Sequence, residues 1–425
     1  MDGAGAQHRF IAIYGLAHFG KSLFWYCSEL LFAYFLTEAC GLAPRLMAAA
    51  LGGSLALSAL ADFAVGRLLA RGSHTPAAAA RAQFAGAAIS ACAFSAFGLS
   101  GLPPPGARFA YALTAILVFR LSYSVFDVPQ NALLALTTAD DAGRARLSSY
   151  RYVFGGAASI AVAGLFAPLF KGRLASVQAQ NFALLAFALS LVALASAGGL
   201  LALLRTGAAP VVRGAPGPRS APQTALEPGW RLGLIFLMLA LIGAAGSAFS
   251  KLEPYLAAYG LTARASGAAV LTSIALGNVV SQPVWARFAR RWSLLGSLRA
   301  SGVLLAFAAA LIWLVVGRGP VAGVIAGGLY GFGMGGATMS LWALAAAASG
   351  KARWLGGATS TFGLVTALSK LGSACAILTV GEVLATSAYR DTASWGVSLL
   401  LVMTLAPMAV GVACAVASFH LAARS

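Results

Sequence analysis

The sequence predicts an all-α integral membrane protein that crosses the bilayer about 12 times, as two bundles of six helices. Three observations carry that reading. Hydrophobic residues make up 60 % of the 425-residue chain and charged residues only 9 %, where soluble chains carry about 25 % charge. Mean hydropathy is +0.84, and the length divided by roughly 20 residues per crossing plus a connection gives the helix count. A long Pro- and Gly-rich interruption between Arg205 and Arg231 separates six apolar runs from six more. It sets the expected domains at 1–204 and 231–425, with a cytoplasmic linker at 205–230.

Little chain remains for a soluble catalytic module, so no enzyme activity is expected. The net charge of +18 is read as an orientation signal and not as a nucleic-acid footprint. Cys27, Cys40, Cys92, Cys375 and Cys414 are odd in number and mostly sit inside apolar runs. They read as small core residues and not as a disulfide framework.

Taken in order, the apolar runs bounded by Pro, Gly or charge fall at 10–37, 44–70, 79–99, 107–139, 149–170, 178–204, 231–258, 264–288, 295–316, 319–349, 356–382 and 393–421. The first is too long for a cleavable signal, lacks a basic leader and contains Lys21 and Glu29. With both termini in the cytoplasm, 18 Lys and Arg face that side and 8 the other, which favours this orientation. The expected setting is a plasma membrane, the inner membrane if the source is bacterial, with the chain as a monomer. A weak echo relates the halves: Asp62 with Gly66-Arg67 and Arg71 after the second run, Gln282 with Ala286-Arg287 and Arg291 after the eighth.

Six charges fall inside spans: Lys21, Glu29, Asp62, Arg120, Asp127 and Lys370. A charge at mid-bilayer costs several kcal/mol unless it faces the bundle interior or water. Helical spacing gives each a polar stripe: Ser22, Trp25 and Glu29; Ser54, Ser58 and Asp62; Arg120, Ser124, Asp127 and Asn131; Thr359, Gly363, Thr366, Lys370 and Ser373. Such stripes suit a solute pathway. The structural alternative pairs Arg120 with Asp127, and Lys370 with Asp62 or Glu29, to fix helix packing.

Tyr14-Gly-Leu-Ala-His-Phe-Gly-Lys21-Ser22, then Phe35-Leu-Thr-Glu-Ala-Cys-Gly-Leu, resembles the opening of the glycoside-pentoside-hexuronide:cation symporters, the melibiose-permease-like family. Tyr123-Ser-Val-Phe-Asp127-Val-Pro129 is similar to that family's fourth-helix signature, Arg146-Leu-Ser-Ser-Tyr-Arg151 to its next loop and Lys370-Leu-Gly-Ser373 to its eleventh-helix lysine. The resemblance implies a major facilitator superfamily fold whose halves rock about a central site. It implies Lys21, Asp127 and Arg151 at the substrate, Asp62, Ser124 and Thr366 around a coupling cation, and Trp342 as a sugar-stacking ring. With the polar stripes, the expected substrate set is Lys21, Ser22, Trp25, Glu29, Arg120, Tyr123, Asp127, Asn131, Arg151, Trp342 and Lys370. The expected coupling set is Ser58, Asp62, Ser124, Asp127 and Thr366.

Departures from the family pattern bear on chemistry. Ser22 follows the first-helix lysine where the family's sugar binders carry aspartate. The second helix offers Asp62 with Ser58 and Ala61 where two carboxylates are usual. Sodium needs several hard oxygens, whereas a proton needs one buried carboxylate, so H+ is favoured over Na+ as coupling ion, with no further cofactor. Protonation of Asp62 or Asp127 is expected to release a buried cation, and Asp140, Asp141, Arg144 and Arg146 to gate against Lys351 or Arg353. Glu29 is expected to add a carboxylate to the cavity or to balance Lys21 or Lys370.

Two motifs fail on context. Gly15 to Ser22 satisfies the phosphate-loop expression but opens a membrane helix with no strand before it. The Gly331–Gly336 run suits close helix approach. His8, His18, His74 and His420 are too scattered for a metal site. The function expected is secondary active transport of a small sugar, glycoside or other polar or amphipathic solute. The alternatives are an exporter, an uncoupled facilitator, a lysolipid-type carrier, or a non-transporting receptor or scaffold.

Overall fold

The computed structural model describes residues 3–69, 75–138, 141–205, 229–261, 264–315, 319–349, 358–391 and 397–422. Among these lie twelve long helices: α1 Gly3–Leu30, α2 Pro44–Leu69, α3 Pro76–Gly98, α4 Pro105–Leu136, α5 Asp141–Leu169, α6 Ala175–Arg205, α7 Trp230–Tyr255, α8 Arg264–Trp292, α9 Leu294–Val315, α10 Pro320–Ser349, α11 Ala358–Thr386 and α12 Val397–Ala422. Each overlaps one apolar run of the sequence. Ten are long and apolar enough to cross a membrane. The other two, α1 and α3, are diluted by Lys21 and Glu29 and by Arg81 and Gln83.

Local chemistry sets the boundaries. Proline opens α2, α3, α4 and α10, where its missing N–H would be unpaired anyway, and the Thr75 hydroxyl caps α3 by accepting from Ala78 N at 3.2 Å. The reversals after α1 and α5 use Gly41 and Gly172, at φ +69° and +67°, a region that side chains resist.

The first span is not continuous. α1 stops at Leu30, Phe32–Tyr34 resumes, and Phe35–Ala39 forms a π turn; a second π turn, Leu256–Gly260, follows α7. The break has an identifiable cause. The Lys251 ammonium from α7 donates to Ser28 O at 2.8 Å and to Glu29 O, carbonyls that a continuous α-helix would use for its own ladder.

The helices pack as a repeat. In the first half α1 packs on α5 and α6, α3 on α4 and α6, and α2 on α4; in the second α7 packs on α11 and α12, α9 on α10 and α12, and α8 on α10. Every pair recurs six helices later. The halves meet along α2 with α11, α5 with α8, and α1 with α7. Phenylalanines fill the first bundle: Phe35 stacks on Phe182 at 3.8 Å, and Phe24, Phe32, Phe94 and Phe119 interlock around them. Small residues let the second close up, as at Gly302 against Gly411. Among the described residues all five cysteines are free, but Cys92 and Cys375 are exposed on helix surfaces and are not the core residues expected.

Candidate functional site

The spacing that aligns Arg120, Ser124, Asp127 and Asn131 on α4 makes this helix the spine of a buried polar network with three branches. In the first, Lys21 of α1 pairs with Asp127, and Lys21 also donates to Asn131 Oδ1 at 3.2 Å. Asn131 Nδ2 donates to Asp127 at 3.0 Å, and Arg151 of α5 donates to Asn131 Oδ1 at 2.6 Å. In the second, Lys370 of α11 pairs with Asp62 of α2 and donates to Ser58 Oγ at 3.0 Å, while Ser124 donates to Asp62 Oδ1 at 2.6 Å. In the third, Glu29 of α1 lies 3.6 Å from Arg120 and 3.3 Å from Lys251 of α7. The second and third branches each bridge the two halves.

Trp25 joins the branches. Its ring stacks on Tyr123 at 6.3 Å and 24°, with the Arg120 guanidinium 5.8 Å and the Lys370 ammonium 6.0 Å from its centroid. Both cations sit within cation–π range. Ser22 is buried and, with His18, faces α5 at Gly155. Thr366 lies half-buried one turn before Lys370.

The structure corrects several pairings. Arg120 pairs with Glu29 and not with Asp127, and the counter-charges of Glu29 are Arg120 and Lys251, in place of Lys21 or Lys370. Spacing along one helix is blind to which neighbour a long side chain reaches. Trp342 packs against the apolar cluster of the second half that holds Leu239, Leu298 and Val410. The gate residues Asp140, Lys351 and Arg353 lie outside the described residues, as do the side chains of Asp141, Arg144, Arg146, Thr359 and Gly363.

A cavity of about 290 Å³ opens between the halves, walled by α1, α5, α7, α8 and α10. Of the expected substrate residues it takes Glu29; its other polar lining includes Tyr26, Ser159, Glu253, Asn278 and Thr338. Lys251 and Glu253 are absent from the six charges singled out above. They close a long apolar run, where ionisable residues ordinarily mark the interface, and the usable signal is that apolar chain continues to Gly260 beyond them.

Beyond the π turns, at the end away from the start of α1 and the finish of α12, a second network ties the halves. Glu38 is nearly buried and accepts hydrogen bonds from Tyr259, from Tyr389 at 2.8 Å, and from Arg390 Nε and Nη2 at 3.1 Å each. Thr37 and Tyr255 hydroxyls meet at 2.7 Å, Lys171 donates to Leu261 O at 3.1 Å, and Arg45 holds Glu382 bidentately. Burial first, and then the Glu38 charge, push the Tyr389 phenol above its ordinary pKa, so it stays a donor.

The chain has the fold of solved transporters at low sequence identity. It matches tetrameric PepTSo2 with a TM-score of 0.67 at 12 % identity, covering 99 % of this chain and 98 % of that one. It matches the peptide transporter POT in complex with sulfate at 0.64 and 13 %, covering 100 % and 98 %. It matches the nucleoside transporter NupG at 0.62 and 14 %, covering 97 % and 99 %. No curated protein matches the sequence. Residues 13–424 match the family described as MFS/sugar transport protein. The chain therefore belongs to that family, as a multi-pass secondary transporter of the major facilitator superfamily and not an enzyme.

Proposed function

We propose that this transporter moves a small polar or amphipathic organic solute, of the sugar or glycoside kind, by alternating access coupled to a cation, with H+ favoured over Na+. The observation that carries the coupling is the Asp62–Lys370 pair. One carboxylate, held by one ammonium and the Ser124 hydroxyl while Ser58 accepts from the same ammonium, spans the seam between α2 and α11. A proton on Asp62 cancels the attraction at that seam, and a buried pair missing one charge costs about 3–5 kcal/mol. That suffices to reverse the balance between two conformations. A sodium cage would need more hard oxygens than these three side chains supply.

In this reading the halves 1–204 and 231–425 rock about the polar network while the 205–230 segment links them on the cytoplasmic side. Lys21, Asp127, Asn131 and Arg151 hold polar groups of the solute, with Trp25 and Tyr123 as its apolar platform. The positive-inside bias puts the termini in the cytoplasm, in a plasma membrane, so the Glu38 network lies outside and closes that face. The solute then enters or leaves from the cytoplasmic side in the conformation described.

The test is uptake by proteoliposomes of a solute panel under an imposed pH gradient or an imposed sodium gradient. The pH gradient should drive accumulation, and Asp62→Asn should abolish accumulation while preserving solute exchange. Accumulation in Asp62→Asn that equals wild type and ignores pH would reject the coupling role.

A further inference from the structure

Ser247, Ser250 and Glu253 follow one another at three-residue steps along α7. Glu253 is 5 % exposed and lines the cavity between the halves. It differs from the other buried carboxylates. Glu29, Glu38, Asp62 and Asp127 each have a Lys or Arg within 4.0 Å, whereas Glu253 makes no ion pair among the described residues. Lys251, its neighbour in sequence, is committed to Ser28 O, Glu29 O and the Glu29 carboxylate.

Ser250, one turn back, hydrogen-bonds the Glu253 carboxyl, and two buried polar atoms on the neighbouring turns lack a hydrogen-bond partner: Ser247 Oγ on α7 and Tyr330 OH on α10. Tyr330 is fixed by stacking on Phe249 of α7 at 3.9 Å and 15°. Buried polar groups are normally satisfied, and an unpaired buried carboxylate is the costliest exception. Hydroxyls and amides lessen that cost but do not cancel the charge. A cation brought from outside does both.

The cavity says which kind of cation. At about 290 Å³ it is far too roomy to wrap a bare metal ion in hard oxygens. Asn278 and Gln282 of α8 and Thr338 of α10 face it with donors and acceptors, and Leu30, Leu271 and Ile274 add apolar wall. This is the make-up of a site for a small organic molecule.

We propose that the cavity takes an amine-bearing solute whose protonated nitrogen pairs with Glu253 while its polar remainder lies against Asn278, Gln282 and Thr338. The proposal rests on the transport reading above and supplies its substrate class.

The experiment is the thermal stability of the full-length protein in lipid nanodiscs, titrated at constant ionic strength with methylammonium chloride or sodium chloride, and with D-glucosamine hydrochloride or D-glucose. Ligands that bind only the folded state raise the melting temperature saturably. Methylammonium and glucosamine should do so where sodium and glucose do not. Glu253→Gln should raise the half-saturating concentration at least about tenfold, the loss of one charge-assisted contact. Its melting temperature without probe should stay near wild type, because Gln keeps the shape and polarity of a carboxyl that no protein cation pairs with.

If Glu253→Gln does not fold, Gln282→Ala keeps the carboxylate. It should weaken glucosamine while leaving methylammonium unchanged. No shift with either ammonium probe, an equal shift with glucose, a shift with sodium alone, or a shift retained in Glu253→Gln overturns the proposal. Asp62→Asn should keep the methylammonium shift, so loss of coupling and loss of this site are read separately.

Discussion

Asp62 and Lys370 are about nine-tenths buried at the seam of the halves, so their attraction and the cost of desolvating them are both large. Removing one partner strands the other. Asp62→Asn alone and Lys370→Gln alone should each cost about 3–5 kcal/mol of stability, whereas the double variant should recover most of that loss. A double-mutant cycle on thermal unfolding measures the coupling, and strictly additive losses would show that the two side chains do not act as a pair. The double variant should still fail to accumulate solute, because Asp62, the carboxylate proposed to carry the coupling proton, is gone. Six of the participants in such pairs, Lys21, Glu29, Asp62, Arg120, Asp127 and Lys370, stand out in sequence because a charge inside an apolar run is rare. Which charge meets which is less legible. Arg120 reaches α1 and not down its own helix, and nothing in a one-dimensional pattern reports that.

At the scale of helices the sequence is most informative, because bilayer thickness forces every span to declare itself as about 20 apolar residues. Each of the twelve runs overlaps an observed helix, and proline and glycine explain several of the ends. The break at Leu31, beside the Lys251 contacts to Ser28 O and Glu29 O, and the two π turns escaped, since contacts between helices are not written in the pattern of either one. Close crossings are likewise invisible until helices are placed. Gly302 of α9 and Gly411 of α12 face each other so tightly that a Cβ on either would stand 2.6 Å from the other's carbonyl oxygen. Gly302→Val should therefore force the helices apart and cost about 1–3 kcal/mol. Gly199→Val on α6, where a Cβ meets nothing within 4 Å, should leave the melting temperature near wild type. Equal melting temperatures for the two variants would remove the close crossing from the account.

For the whole molecule, the question is what holds the two halves together at the face opposite the termini. Glu38 is the shared acceptor of two phenols and a guanidinium from the second half, and the two π turns aim it and Tyr259 at each other. The Tyr389 phenol stays a donor, so the latch rests on the Glu38 carboxylate as its acceptor. Hydrogen bonds to a charged group contribute about 1.5–3 kcal/mol each, enough to shift an open-to-closed ratio roughly tenfold or more. Glu38→Gln should weaken all of these bonds while keeping the side-chain shape, and Arg390→Ala should remove the ion pair alone, with a smaller effect. The measurement is the distance distribution between spin labels at Gly106 and Val321, which open α4 and α10 in the two halves and have open space or solvent around them, in a cysteine-free background. Wild type should give a short-distance population, Glu38→Gln a growing long-distance one, and Arg390→Ala an intermediate mixture. Identical distributions in all three would mean that the halves are held by the α2–α11 and α5–α8 seams without help from this carboxylate, and that the face opposite the termini is closed by packing instead of by charge.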